Sequence, residues 1–159
     1  MGMDVNGKNP SSEEGSYFRA NVWSWRPIHA IIGMTGVVDD ETLNRMSMNE
    51  GAGLQTQNEC NQLADALEKV ILNNDIDIGS FKSAGFVLER KDNDVKINFP
   101  ICEDKSMVVK PDGTFVKEKE IDTMTLSQQR TLRSAYSTTY SHLKEFIAFL
   151  RSCGGFEVC

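Results

Sequence analysis

From residue 57 to 72 the apolar residues Cys60, Leu63, Ala64, Leu67 and Ile71 recur at spacings of three and four, which lays one apolar stripe along a helix. Thr56 and Glu59 form a capping box at its start, and Asn73 and Asn74 end it. A second run has the same period: Leu132, Ala135, Tyr136, Thr139, Leu143, Phe146, Ile147 and Leu150. Thr125 and Gln128 supply its capping box and Gly154 and Gly155 its stop, so the pattern predicts a long C-terminal helix over 126–152. Elsewhere the period falls to two. In "SYFRANVWSW", Phe18, Ala20 and Val22 alternate with Tyr17, Arg19, Asn21 and Trp23, which suits a strand, with a helix as the alternative. "VKINFPI" places Val95, Ile97, Phe99 and Ile101 on one strand face, "MVVKPDGTFVKE" reads as two short strands around a Pro-Asp-Gly turn, and "FEVC" adds a final strand.

Pro27 marks a boundary, because proline suits the first turn of a helix and pushes the residue before it toward extended geometry. "PIHAIIGM" therefore reads as a helix that starts where the strand ends, with Arg26 at the junction. "VVDDETLNRM" is a short helix capped by Asp39 or Asp40, and "SMNEGAG" is a break rich in turn residues. Residues 1–16, rich in Gly, Asn, Ser and Pro, read as a short strand or arm followed by a loop. Strands and helices do not alternate as a doubly wound sheet requires, and no repeat or low-complexity segment is present. The predicted fold is α+β, a single domain over 1–159 in which two longer amphipathic helices pack on a small antiparallel sheet.

Composition sharpens this picture without changing it. With 40% hydrophobic and 25% charged residues in 159, the chain is an ordinary globular domain that needs no metal or disulfide to bury a core. A net charge of -6, with the basic residues scattered, argues against nucleic acid as a partner. No basic-then-apolar leader and no membrane-length apolar run is present, and Asn6 stands where a myristoylation signal needs a small hydroxyl residue. Cys60, Cys102, Cys153 and Cys159 lack the spacing of a zinc site and read as free thiols. The expectation is a cytoplasmic protein with no membrane partner, no metal and no cofactor, and with self-association left open.

The chemistry-bearing residues gather in "YFRANVWSWRPIH", which holds both tryptophans, two arginines and one of the two histidines. A strand there would place Arg19, Asn21, Trp23 and Trp25 on one face, with Arg26 and His29 at the turn into the helix. Indole faces hold flat or cationic groups, guanidinium forks match carboxylate or phosphate, and a helix N-terminus at Pro27 would add partial positive charge. The competing account is core packing, since tryptophans are large apolar bodies that arginines often stack against. Asn49 and Glu50 in "NEGAGLQT" are placed to face this cluster, with Glu50 expected to pair with Arg19 or Arg26. That segment has neither the preceding strand nor the lysine of a phosphate loop, and its glycines read as turn residues. His142 falls within the long helix beside the apolar stripe, at the edge of the core.

"MGMDVNGKNPSSEEGSYFRANVWSWRPI" and "FIAFLRSCGGFEVC" resemble the two ends of a family of small uncharacterised proteins of bacteria and their phages. Its pattern is MG[LM]DxxGKxP, then YFRxNVWxWRP, then FLRxxGGFx[IV]C. The match covers roughly a quarter of the chain on two spaced motifs. The resemblance implies no activity, cofactor or catalytic residue. Some members carry a paired-cysteine insertion that this chain lacks, and many have Asn-Asp-Gly where it has Asn49, Glu50 and Gly51.

Three readings of function follow. The leading one is a non-enzymatic binding module that uses the Trp/Arg-rich surface for a protein or a small anionic ligand. The second is an enzyme directed at a nucleotide or phosphate, with Arg19 and Arg26 on the anion, Glu50 as base and His29 as acid. The third is an acidic phage inhibitor that contacts a host protein by charge.

Overall fold

The computed structural model describes residues 2–73 and 80–159. The fold is α+β, built around three small antiparallel sheets. The chain runs β1 (Gly2–Gly7), β2 (Tyr17–Asn21), α1 (Val22–Thr35), α2 (Asp40–Met46), α3 (Gln57–Asn73) and α4 (Ser80–Ser83). It continues β3 (Val87–Lys91), β4 (Asp94–Asn98), β5 (Val108–Val109), β6 (Phe115–Val116), α5 (Glu118–Asp122) and α6 (Leu126–Gln129). β7 (Arg133–Ser134), β8 (Ser137–Thr139), α7 (Tyr140–Leu150) and β9 (Phe156–Val158) complete it.

The first sheet, ordered β2-β1-β9, joins the two ends of the chain. Residues 2–7 are its central strand, with Met3 and Val5 in the core. β9 reaches β1 through a close approach at the Gly154–Gly155 pair. A side chain at Gly154 would stand 2.2 Å from the Asn9 carbonyl oxygen, and one at Gly155 would stand 2.5 Å from that of Gln55. Both glycines also have positive φ, 67° and 97°. α3 packs against α1 and α7, and Leu63, Leu67, Ile28, Ile31, Leu143, Phe146 and Phe156 meet in the main core. The capping box of α3 is present, with the Thr56 amide donating to Glu59 Oε1 and the Glu59 amide to Thr56 Oγ1, each at 3.2 Å. α3 is described through Asn73; the predicted stop at Asn73 and Asn74 falls at the edge of the described residues, and Asn74 lies outside them.

A smaller apolar cluster, Val108, Val116, Ile121 and Leu132, lies under the third sheet, β6-β5-β7, whose β5–β6 pair flanks the predicted Pro-Asp-Gly turn. The second sheet, β3-β4-β8, stands beside α1 and α7.

Two expectations are corrected. The stretch 126–152 is not one helix. The Thr125–Gln128 capping box is real, but α6 ends after one turn at Gln129. β7 then pairs with β5 and β8 with β4, and a second cap, Thr139, starts α7. "TLRSAYSTT" is rich in hydroxyl residues that favour strands and caps over helix interiors, and partner strands distant in sequence satisfy its backbone. Likewise, β4 stops at Asn98, so Ile101 leaves the strand face and is exposed.

Candidate functional site

Asn21 decides how the Trp/Arg stretch is arranged. Its backbone is still extended, and its side-chain oxygen accepts the Ser24 amide at 2.9 Å, so α1 begins at Val22 and Pro27 lies inside the helix. This corrects the helix start expected at Pro27. A proline one turn in forfeits a single hydrogen bond to the Trp23 carbonyl, while the Asn21 cap fixes the start. In a helix, residues two apart point about 200° from each other, so Trp23 and Trp25 cannot share a face.

Trp25 is core. It is 4% exposed, meets the Phe146 ring edge-on at 6.2 Å between centroids, and leaves its Nε1 without a hydrogen-bond partner. Trp23 is 36% exposed and stays at the surface. Its ring centroid lies 5.2 Å from that of Tyr136 and 5.9 Å from that of Phe115, which is 55% exposed. Arg26, three residues on and therefore on the same helix face, sets its guanidinium carbon 4.6 Å over Tyr136 and 5.4 Å from the Phe99 centroid. Phe115, Trp23, Tyr136, Arg26 and Phe99 thus form a continuous aromatic–guanidinium row. Asp104 is near enough for the Arg26 charge to help lower its carboxyl pKa, after the larger effect of its hydrogen bonds from Ser106.

The other predicted residues disperse. His29 is half-buried, with Nε2 2.6 Å from the Leu43 carbonyl oxygen, which ties α1 to α2. Glu50 does not reach Arg19 or Arg26. It pairs with Arg45 at 3.2 Å, because the Ser47–Glu50 turn folds it back toward α2. Asn49, exposed with a φ of 54°, is a turn residue there. The acid–base pair of the enzyme reading is therefore not assembled: His29 holds a backbone carbonyl and Glu50 an arginine.

Arg19 and Asn21 remain together, away from the aromatic row. They line an open hollow of about 480 Å³ between the start of α1 and the start of α7, where Thr138 and His142 join them. Thr138 Oγ1 and His142 Nε2 are buried and unpartnered. Burial lowers the His142 pKa, against a smaller opposing effect of Glu145. Pattern reading placed His142 in a helix at the edge of the core, as α7 has it, but missed Thr138 because it put that residue inside the same helix when it lies in β8. It missed Phe99, Phe115 and Tyr136 because they come from three segments that only the fold brings to Trp23. The Asn21-Ser24 spacing was the one local signal for the true start of α1.

Among the described residues no group of three or more His, Cys, Asp and Glu could hold a metal ion, and no helix is long and apolar enough to cross a membrane. Comparison with protein-family models, with curated proteins and with solved structures finds no match to this chain.

Proposed function

We propose that the protein is a non-enzymatic interaction module of bacterial or phage origin that engages a protein partner through the Trp23 face. The observation that carries this reading is the row Phe115–Trp23–Tyr136–Arg26, in which a tryptophan and a phenylalanine stay exposed beside a guanidinium stacked on a ring. Trp, Tyr and Arg dominate the energetic centres of protein interfaces, where rigid rings bury a large area at small entropic cost. Stacking fixes Arg26 in place and leaves it able to receive a carboxylate of the partner. The acidic remainder of the chain keeps the free protein soluble and steers it toward basic surroundings.

Affinity capture from bacterial lysate with the wild-type chain, Phe115→Ser and a distant control, Glu41→Ser, tests the reading. A partner retained by wild type and the control and lost with Phe115→Ser supports it. Its retention should change little between about 0.1 M and about 1 M salt, because aromatic anchors are not screened as charges are. A partner that Phe115→Ser still holds, but that salt releases, would instead favour the charge-based inhibitor reading.

A further inference from the structure

Away from the Trp23 face, we infer that the hollow bounded by Arg19, Asn21, Thr138 and His142 is a binding site for a phosphate group, as inorganic phosphate or a small phosphate monoester. The inference does not depend on the protein-binding face, which shares none of these four residues.

Two helices begin at this hollow. α1, of 14 residues, starts after Asn21, and α7, of 11 residues, starts after Thr139. Neither has an acidic residue in its first turn, which leaves the partial positive charge of the α1 N-terminus for a ligand. At α7 the Asp94 carboxylate already accepts the Ser141 amide at 3.1 Å. The helix starts do not carry the argument alone. Thr138 is 4% exposed, lines the hollow, and has a hydroxyl with no partner. Leaving such a group unsatisfied is destabilising, and the fold tolerates it here at a concave surface. His142 Nε2 is a second buried orphan on a lining residue.

The donor set selects the ligand. Arg19 packs over Gly2, where an added side chain would stand 3.0 Å from its Nε, and no ion pair among the described residues holds its guanidinium. Asn21 spends its oxygen on the helix cap and keeps its amide hydrogens. The Ser24 hydroxyl already donates to the Asn21 carbonyl at 3.3 Å, so the free hydroxyl is that of Thr138, and His142 brings an imidazole. These groups stand on β2, β8 and α7, around the hollow rather than in one plane. A carboxylate offers two oxygens in a plane, whereas a phosphate offers three or more in a tetrahedron and so satisfies donors from several sides. The charged group that bears on His142 is Glu145 on its own helix, and Arg19 lines the same hollow.

With only two histidines in the chain, imidazole NMR reads this site directly, with His29 as internal reference. The full-length protein is titrated at constant ionic strength with inorganic phosphate, glycerol phosphate or acetate. Saturable movement of the His142 signals by either phosphate probe, with His29 unmoved and acetate without effect, is the expected result. Binding by the ester but not the free ion would assign the site to an organic phosphate, and the reverse to inorganic phosphate. Arg19→Gln should weaken the response about tenfold or more, as loss of a charge-assisted fork does. Thr138→Val should weaken it too, while its melting temperature stays level or rises because an unsatisfied hydroxyl is replaced by a methyl group. Equal movement of both histidines, equal response to acetate, or wild-type binding by both variants would overturn the proposal.

Discussion

At the scale of single residues, neighbours in sequence have different tasks. Trp25 fills the core and Arg26 lies over a ring at the surface, one position apart, because the Asn21 cap starts a helix there. Residue type was therefore legible before residue role: the sequence marked both tryptophans as either site or core, and the cap separated them. The cysteines divide in the same way. Cys60 and Cys153 are buried with their sulfurs 3.4 Å apart, and the hydrogen bond between them, with burial, pushes the Cys60 thiol up. Under native conditions an aromatic disulfide reagent should titrate Cys159 fast and Cys102 more slowly, and the other two only on unfolding. Four thiols reacting at one rate would contradict the packing. His142 supplies a pH dependence. Its folded pKa is lowered, so the unfolded chain takes up the proton first as pH falls below about 6.5, and stability drops there. His142→Gln should flatten that acid limb in thermal melts, and so should phosphate held beside the imidazole, because an anion favours its protonated form.

At the scale of elements, local signals succeeded where local forces decide. The α3 stripe and its capping box, the Asp39 cap of α2 and the turn between β5 and β6 all follow from residues within a few positions of one another. The failures lie where partners are remote. Leu132, Ala135, Tyr136 and Thr139 have helical spacing, yet β7 and β8 form because β5 and β4 offer free edges, which no window of sequence contains. Tyr136 and Thr138, one in each candidate site, were hidden by that error. The second cap is testable: Thr139 Oγ1 accepts the His142 amide at 3.0 Å, so Thr139→Ala should cost about 1 kcal/mol in urea unfolding. Thr125→Ala caps a single exposed turn and should cost less.

At the scale of the whole molecule, two apolar clusters of unequal size share one chain. The large one gathers both chain ends with α1, α3 and α7, and the small one holds the third sheet. Few buried contacts protect the small cluster, so hydrogen exchange at Val108 and Val116 should outpace that at Val5 and Ile28 by an order of magnitude or more. Phe115 is carried by this less protected sheet and presented to Trp23 on α1, which makes the aromatic row a seam between the two parts. A seam of exposed rings is where a partner gains the most apolar contact, and the fold places it away from the core that keeps the protein intact.

The central claim is that the Trp/Arg stretch is divided between core, where Trp25 lies, and surface, where Trp23 and Arg26 lie. Thermal unfolding of Arg26→Ala beside Trp25→Ala tests it most directly. The structure predicts a loss of about 3–5 kcal/mol for the buried tryptophan. Arg26→Ala should lose about 1 kcal/mol or less, the worth of an exposed cation–π contact. An Arg26→Ala protein as destabilised as the Trp25 variant would make the whole stretch core and remove the surface on which the functional reading stands.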